Sequence, residues 1–210
     1  MPKRESPLSG LQDYLPQGSL DRVVAYLQHY KVHLTVAKER KSILGDYRHQ
    51  TQYQNHRISV NGNLNKYSFL ITLLHELAHL LAFENFGHRI EPHGREWKQV
   101  FSQMLAEFIQ AGLFPPDIKN TLLLSMNNPA ASSCADENLL RVLRLYDQKK
   151  EGLVFVESLP PHSVFRTHDG RIFKRGDKLR KRFRCEELTT KRVYLFSAVY
   201  EVEHIVPSIH

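Results

Sequence analysis

Three polar side chains stand close together in an otherwise apolar segment, and their spacing is suited to metal chemistry. His75 and His79 are four residues apart, so on a helix both imidazoles project from one face and could hold one ion. Glu76 is turned by about 100° from His75, so it could reach a metal-bound water without being a ligand. This His-Glu-x-x-His spacing is typical of zinc hydrolases.

A zinc site of this kind needs a third protein ligand, and the sequence offers His93 in EPHGREW. Thirteen residues separate it from His79, and a strongly periodic helical pattern follows it as far as Gly112. We expect His93 on the first turn of that helix, with Pro92 and Gly94 fixing the backbone on either side. Together with the two motif histidines it would complete a site for one zinc ion.

The motif must be carried by a central helix. Residues 68–84 read SFLITLLHELAHLLAFE and are apolar on nearly every side, which is typical of a helix covered all round by its domain. Polar side chains in such a helix carry a desolvation cost unless they have partners. The simpler alternative is a buried helix that happens to contain two histidines.

The elements before this helix predict an α+β domain. A first helix, capped by Ser19, is expected to end near Tyr30. Strand patterns follow at 32–40, 43–50 and 56–62. Short antiparallel strands leading into the motif helix would cover one side of it.

The second half of the chain changes character. The helical pattern breaks at Pro115-Pro116, and NNPAASS (127–133) is typical of a linker or surface loop. A helix is predicted from about Ala135 to Gln148, and the remainder is β-rich. We therefore predict three segments: a metal-binding domain at 10–125, a linker and connecting helix at 126–150, and a small basic β-sheet module at 151–206.

The positive charge is concentrated in that last module. Between Arg166 and Arg192 there are eleven basic and four acidic residues, so this stretch carries the whole net charge of +7. Such asymmetry favours an anionic partner, DNA or RNA. The predicted nucleic-acid contacts are Lys174, Arg175, Lys181 and Arg182. The alternative is a solvated face with no partner.

Composition excludes several other classes. Hydrophobic residues make up 41% and charged residues 24%, which is ordinary for a globular protein. Cys134 and Cys185 provide neither a disulfide framework nor a paired-cysteine metal site. The apolar run at 68–83 is shorter than a bilayer span requires, and the N-terminus has no apolar secretion core. We expect a cytoplasmic protein without a membrane partner.

In combination, the ordered motifs LGDYR, RISVNGNLN, LLHELAH and HG-x-x-W resemble the SprT-like metalloprotease domain, to which the Spartan proteases belong, over about residues 10–115. The resemblance implies a gluzincin-like core, a short antiparallel sheet packed on the zinc-binding helix. It implies that His75, His79 and His93 are zinc ligands and that Glu76 is the catalytic base. For the better-known members it also implies cleavage of proteins bound or crosslinked to DNA.

The sequence departs from the family pattern in two places. Many bacterial members end in a four-cysteine zinc ribbon, which Cys134 and Cys185 cannot form, so the all-β C-terminal module must be held by packing. Trp97 stands where the family usually has Phe. The missing cysteines affect the module through which such members usually contact nucleic acid, whereas Trp97 in place of Phe is a conservative change.

Two other functions remain open from the sequence. A three-histidine zinc site also serves compact endoribonucleases, although there the third histidine stands much closer to the motif. The chain could instead be a nucleic-acid-binding protein with a vestigial or structural zinc site, but a structural ion has no need of Glu76 as a base. Finally, the strand holding LGDYR could pair with an extended protein substrate, or could be a charged edge that prevents aggregation.

Overall fold

The computed structural model describes residues 7–40, 43–126, 136–148 and 152–205, and it forms two compact units, Met1–Asp147 and Gln148–His210. Each unit has its own hydrophobic core. The predicted linker at 127–133 lies outside the described residues.

The first unit mixes helices with a small sheet, as the sequence predicts. Its elements in chain order are α1 (Leu20–His29), β1 (His33–Ala37), β2 (Gly45–Arg48), β3 (Arg57–Asn61), α2 (Lys66–Phe86), α3 (Arg95–Gln110), α4 (Pro116–Ser125) and α5 (Glu137–Arg144).

The three strands form a sheet in the order β1–β3–β2. β2 is antiparallel to β3, but β1 is parallel to it, so the expectation of a purely antiparallel sheet was wrong. The chain leaves β1, crosses to the far edge as β2 and returns between the two as β3, which makes β1 and β3 run the same way. Ile58 and Val60 of β3 are buried in the core, whereas the alternate residues face the other side.

The motif helix α2 forms the centre of the first unit. Twelve of its residues are buried, including His75 and Glu76, because β2 and β3 pack on one side and α3 on another. Asn65 caps it by accepting a hydrogen bond from the Ser68 amide.

Lys66–Arg89 is in fact long and apolar enough, by length and composition, to cross a membrane, which corrects the expectation from the shorter run. Of the apolar 18-residue stretch within it, 67% is buried within the protein, as expected of a core helix.

Two further helix predictions needed correction, and one helix was not predicted. Ser19 does not cap α1 through its side chain, because its hydroxyl donates to the Pro16 carbonyl instead. The run after Pro115 is a helix, α4, with Pro116 at its first turn, where proline costs no hydrogen bond. The helix predicted for 135–148 is shorter, and Asp136 caps it.

The second unit is a six-stranded sheet in the order β4–β9–β5–β6–β7–β8, with every neighbouring pair antiparallel. Its strands are β4 (Leu153–Phe155), β5 (Val164–Arg166), β6 (Ile172–Leu179), β7 (Arg182–Glu187), β8 (Val193–Ser197) and β9 (Glu201–Ile205). Phe165, Phe173, Phe183 and the free Cys185 form its core. Leu179 is 54% exposed because the β6–β7 register shifts after Arg175, which turns its side chain away from the core.

Candidate metal centre

The three predicted ligands come together at one point. The Nε2 atoms of His75 and His79 are 3.2 Å apart, and each lies 3.0–3.1 Å from Nε2 of His93. Around a zinc ion with bonds of about 2.0–2.1 Å, tetrahedral donors are separated by roughly 3.3 Å. The three ligand atoms therefore have the spacing that a single small metal ion requires.

His93 reaches this point from a turn rather than from a helix. It has a left-handed backbone with φ of 62°, and α3 begins only at Arg95 with Gly94 as its N-cap, so the prediction of a first-turn ligand was wrong. A non-glycine residue in this conformation is strained unless its surroundings hold it. The Gly94 amide donates to the Glu91 carbonyl at 2.9 Å, and this closes the turn around His93.

Trp97 packs against all three imidazoles. Its ring lies 4.6 Å from the ring of His75, 5.2 Å from that of His79 and 4.7 Å from that of His93, measured between centroids. The indole is fully buried and fixes the directions of the three rings. A Phe would leave part of this contact unmade.

The protonation states of the histidines suit metal binding. Burial, followed by the neighbouring imidazoles, lowers the pKa of His75 to about 3 and that of His79 to about 4. Burial also lowers the pKa of His93, with Lys98 as a smaller cause. Neutral imidazoles with converging lone pairs are the donor set that zinc prefers.

Glu76 is buried beside this centre. Burial, followed by the charge of Asp46, raises the pKa of Glu76 to about 8, while Arg40 opposes the rise. A carboxyl that is costly to ionise in isolation is favoured as a carboxylate when a divalent cation is near. The neutral imidazoles and the buried carboxyl therefore both fit a bound metal.

A chain of hydrogen bonds joins β2 to the end of α2 beside the centre. The Nδ1 atom of His56 accepts a hydrogen bond from the backbone amide of Gln50 at 3.2 Å and another from the Tyr47 hydroxyl at 3.0 Å. Its Nε2 lies 3.3 Å from a Glu84 carboxylate oxygen and donates to it. Burial lowers the pKa of His56 although Glu84 opposes this, consistent with a neutral ring. The network holds the Tyr47 ring parallel to that of His79, with 6.5 Å between centroids.

A cavity of about 180 Å³ opens next to the histidines. Its lining includes the apolar side chains of Tyr47, Phe83, Ile90 and Trp97, together with the ring of His79. Its size and lining suit one apolar side chain of a ligand.

The four predicted nucleic-acid contacts are not brought to one face. Lys174 and Arg182 lie exposed on β6 and β7, and Lys181 is exposed in the turn between these strands. Arg175 points to the core side, where it stacks 4.3 Å above the Phe183 ring centre and donates to the Val156 carbonyl. The outer face of β7 instead presents Arg184, two residues after Arg182.

Sequence reasoning missed the contributions of Gly45 and Tyr47 to the centre. The available signal was a glycine inside a strand pattern, which often marks a close backbone approach. A Cβ atom at Gly45 would lie 2.5 Å from Oε1 of Glu76. Tyr47 gave no signal of its own, because its contact with His79 depends on how β2 packs on α2.

Fold and site together define a mixed α+β domain in which two histidines of the central helix and His93 of a turn before α3 could hold a metal ion. Residues 17–120 match the model of the SprT-like family. Through this domain the chain belongs to the SprT-like family, and the resemblance seen in its motifs is confirmed.

Curated relatives match over short segments. A segment is 55% identical over 29 residues to Protein SprT of Pseudomonas fluorescens (strain SBW25), covering 14% of this chain and 18% of that protein. Another is 44% identical over 57 residues to Protein SprT of Proteus mirabilis (strain HI4320), covering 25% and 33%. These alignments thus span a third or less of the relatives' length. No solved structure matches the chain.

Proposed function

We propose that this protein is a zinc-dependent endopeptidase with a gluzincin-like core and histidine as the third ligand. The observation that carries the proposal is the convergence of the Nε2 atoms of His75, His79 and His93, together with the burial of Glu76, the residue after His75 on the same helix. A structural ion would not need that carboxyl. Membership of the SprT-like family supports the same reading.

Glu76 is the general base of the proposed reaction. A bound zinc would supply a Lewis acid for the scissile carbonyl and would lower the pKa of a coordinated water. The Glu76 carboxylate accepts the proton of the attacking water and later passes it to the leaving amine. Its burial excludes bulk water, and the backbone of Gly45 restricts where it can point. Trp97 keeps the three ligands aligned throughout.

The outer edge of β2 is the proposed binding site for the backbone of the substrate. β2 is an edge strand of the sheet, and its residues Gly45 and Tyr47 contact the motif helix side chains Glu76 and His79. An extended peptide can pair with such an edge through main-chain hydrogen bonds, with little preference for sequence. The cavity lined by Phe83 and its neighbours would then accept one apolar side chain of that peptide.

A cleavage experiment tests the proposal directly. Zinc-loaded protein is incubated with a denatured protein and with an RNA in the same sample, beside the Glu76→Gln variant. We expect the denatured protein to be cut by the unchanged chain alone. Cutting of the RNA instead would favour a nuclease, and no cutting of either would favour a binding protein with a structural zinc.

A second proposed function is contact with nucleic acid through the second unit. Lys174 is exposed on β6, and Arg182 and Arg184 are exposed on the neighbouring strand β7. Lys181 is exposed in the turn that joins these two strands. This density of cations supports sequence-independent binding to phosphates. If both proposals hold, proteins associated with DNA are the natural substrates, because the second unit would raise their local concentration.

A further inference from the structure

A polar groove of about 390 Å³ lies on the face of the three-stranded sheet that is opposite to the core residues Ile58 and Val60. Because side chains alternate along a strand, the residues on either side of Ile58, which are Arg57 and Ser59, face the groove. Arg57 and Ser59 of β3 are its central residues, and β1 and β2 supply its sides.

The strand register places two arginines directly opposite each other in this groove. Arg57 is paired with Arg48 on β2 and with His33 on β1. Like charges directly across two strands destabilise a sheet unless something of opposite charge lies between them. The only carboxylate among the described residues lining the groove is that of Asp46, and Nε of Arg48 already donates to it at 3.0 Å.

A third arginine is held rigidly beside this pair. Nε of Arg40 donates to Oδ1 of the buried Asn61 at 2.7 Å, and its Nη1 donates to the Ser59 hydroxyl at 2.9 Å. Since the Ser59 oxygen accepts this bond, its own proton is directed elsewhere. Thr35, opposite Ser59 on β1, adds a second hydroxyl to the same row.

The guanidinium group of Arg57 has no hydrogen-bond acceptor or ion-pair partner among the described residues. Its Nε is buried and unsatisfied there, which costs free energy unless an acceptor arrives. Three arginines thus face one carboxylate, and the central arginine lacks a partner. This arrangement is that of a binding site for an anion.

We propose that this groove binds a phosphate group. Arg48 and Arg57 stand on adjacent strands about 5 Å apart, so one tetrahedral anion between them can accept from both guanidinium groups. The hydroxyls of Ser59 and Thr35 in the next row can donate to its remaining oxygens. A planar carboxylate has only two oxygens and satisfies fewer of these donors. The phosphate belongs either to a nucleic-acid backbone or to a free phosphate ion.

The test measures thermal unfolding of the full chain in sodium phosphate and in sodium chloride at equal ionic strength. A ligand that binds only the folded state raises the midpoint, by several degrees at roughly a hundredfold excess over Kd. We expect phosphate to stabilise the unchanged chain more than Arg57→Gln or Arg48→Gln. Titration calorimetry with inorganic phosphate should show affinity at least roughly tenfold weaker in either variant.

Two controls make the comparison specific. Lys119→Gln removes one exposed positive charge on α4, outside the groove, and should respond to phosphate like the unchanged chain. In chloride, Arg57→Gln should be no less stable than the unchanged chain, because it removes the repulsion from Arg48. Any general stabilisation of proteins by phosphate salt raises the unfolding midpoint of all variants equally, so it does not affect the comparison between them.

The source of the phosphate is distinguished in a second arm. A short single-stranded oligodeoxynucleotide is titrated into a chain whose exposed second-unit cations are reversed, with and without Arg57→Gln. If Arg57→Gln weakens oligonucleotide binding, the natural ligand is the phosphate of a nucleic-acid backbone. If Arg57→Gln weakens the binding of inorganic phosphate but not that of the oligonucleotide, the ligand is the free phosphate ion. Equal phosphate stabilisation and affinity in the unchanged chain, Arg48→Gln and Arg57→Gln would overturn the proposal.

Discussion

The backbone of Gly45 lies against the side chain of Glu76. A Cβ atom built at Gly45 would be 2.5 Å from Oε1, 2.8 Å from Cγ and 2.9 Å from Cδ of the glutamate. Real Cβ atoms do not approach other heavy atoms so closely, so any other residue at this position must displace the carboxyl. The edge strand thereby sets the position of the proposed base.

Gly45→Ala should reduce peptide cleavage while leaving metal binding intact. Glu76 is buried and has little room to move away from an added methyl group. A shift of about 1 Å in a catalytic group can cost roughly 10²-fold in rate, so we expect a loss of this order in kcat/KM. Metal analysis and a steady-state cleavage assay measure the two effects.

Gly10→Ala is the matched control for this substitution. A Cβ at Gly10 meets no atom within 4 Å, so the same chemical change is made without a contact. Activity of Gly10→Ala should equal that of the unchanged chain. If Gly45→Ala were equally active, the close approach would have no catalytic consequence.

Metal content should depend on His93. Three imidazoles can hold about one zinc per chain, and removing one of them leaves too few ligands for tight binding. We expect His93→Ala to lose most of its zinc, as measured by elemental analysis after dialysis. His88→Ala, which removes an exposed histidine outside the triad, should keep it. Two zinc ions per chain, or full retention in His93→Ala, would contradict the site.

Glu76→Gln should keep the metal and the fold but lose hydrolysis. The amide has nearly the same shape as the carboxyl and cannot accept the proton of the attacking water. General acid–base catalysis contributes about 10²- to 10⁴-fold, so the rate should fall by at least roughly two orders of magnitude. Cleavage near the original rate in a variant with full zinc content would make Glu76 a structural residue.

The exposed cations of the second unit should bind nucleic acid in a salt-dependent way. If about four phosphates are engaged, the logarithm of affinity should fall against the logarithm of salt with a slope of about −3 to −4. Replacing Lys174, Lys181, Arg182 and Arg184 with Glu should abolish this binding and leave zinc content unchanged. Arg175 is left intact because its reversal would disrupt packing on Phe183.

Cleavage assays on two substrates complete this experiment. The reversed variant should cleave a free denatured protein normally and should cleave a DNA-bound protein more slowly. Binding that is insensitive to salt, or equal cleavage of the DNA-bound protein, would identify the basic stretch as a solvated surface.

The parts of the site that are local in sequence could be predicted, and the parts that depend on packing could not. Helical spacing alone brings His75 and His79 onto one face of α2. The approach of Gly45 to Glu76 depends on the register of β2 on β3 and on how these strands pack on α2. Nothing in the strand patterns specifies that register or that packing.

Two further differences have the same physical origin. The pattern after His93 correctly indicates a helix, but its first turn needs Gly94 as the cap, which leaves the histidine outside with a left-handed backbone. In the second unit, charge density identifies a cationic module, but strand alternation turns Arg175 inward, away from Lys174.

The left-handed turn at His93 has a consequence for how metal would enter and leave. Two imidazoles sit on the enclosed helix α2, whose amides should exchange with solvent only when the whole unit unfolds. The third sits in a short turn with exposed neighbours at Glu91 and Pro92, which can open by itself. Loading and chelation should therefore proceed through release of His93 alone, at a rate that hydrogen exchange of the Gly94 amide would report. A bound metal would then exchange with free metal in solution while the protein remains folded.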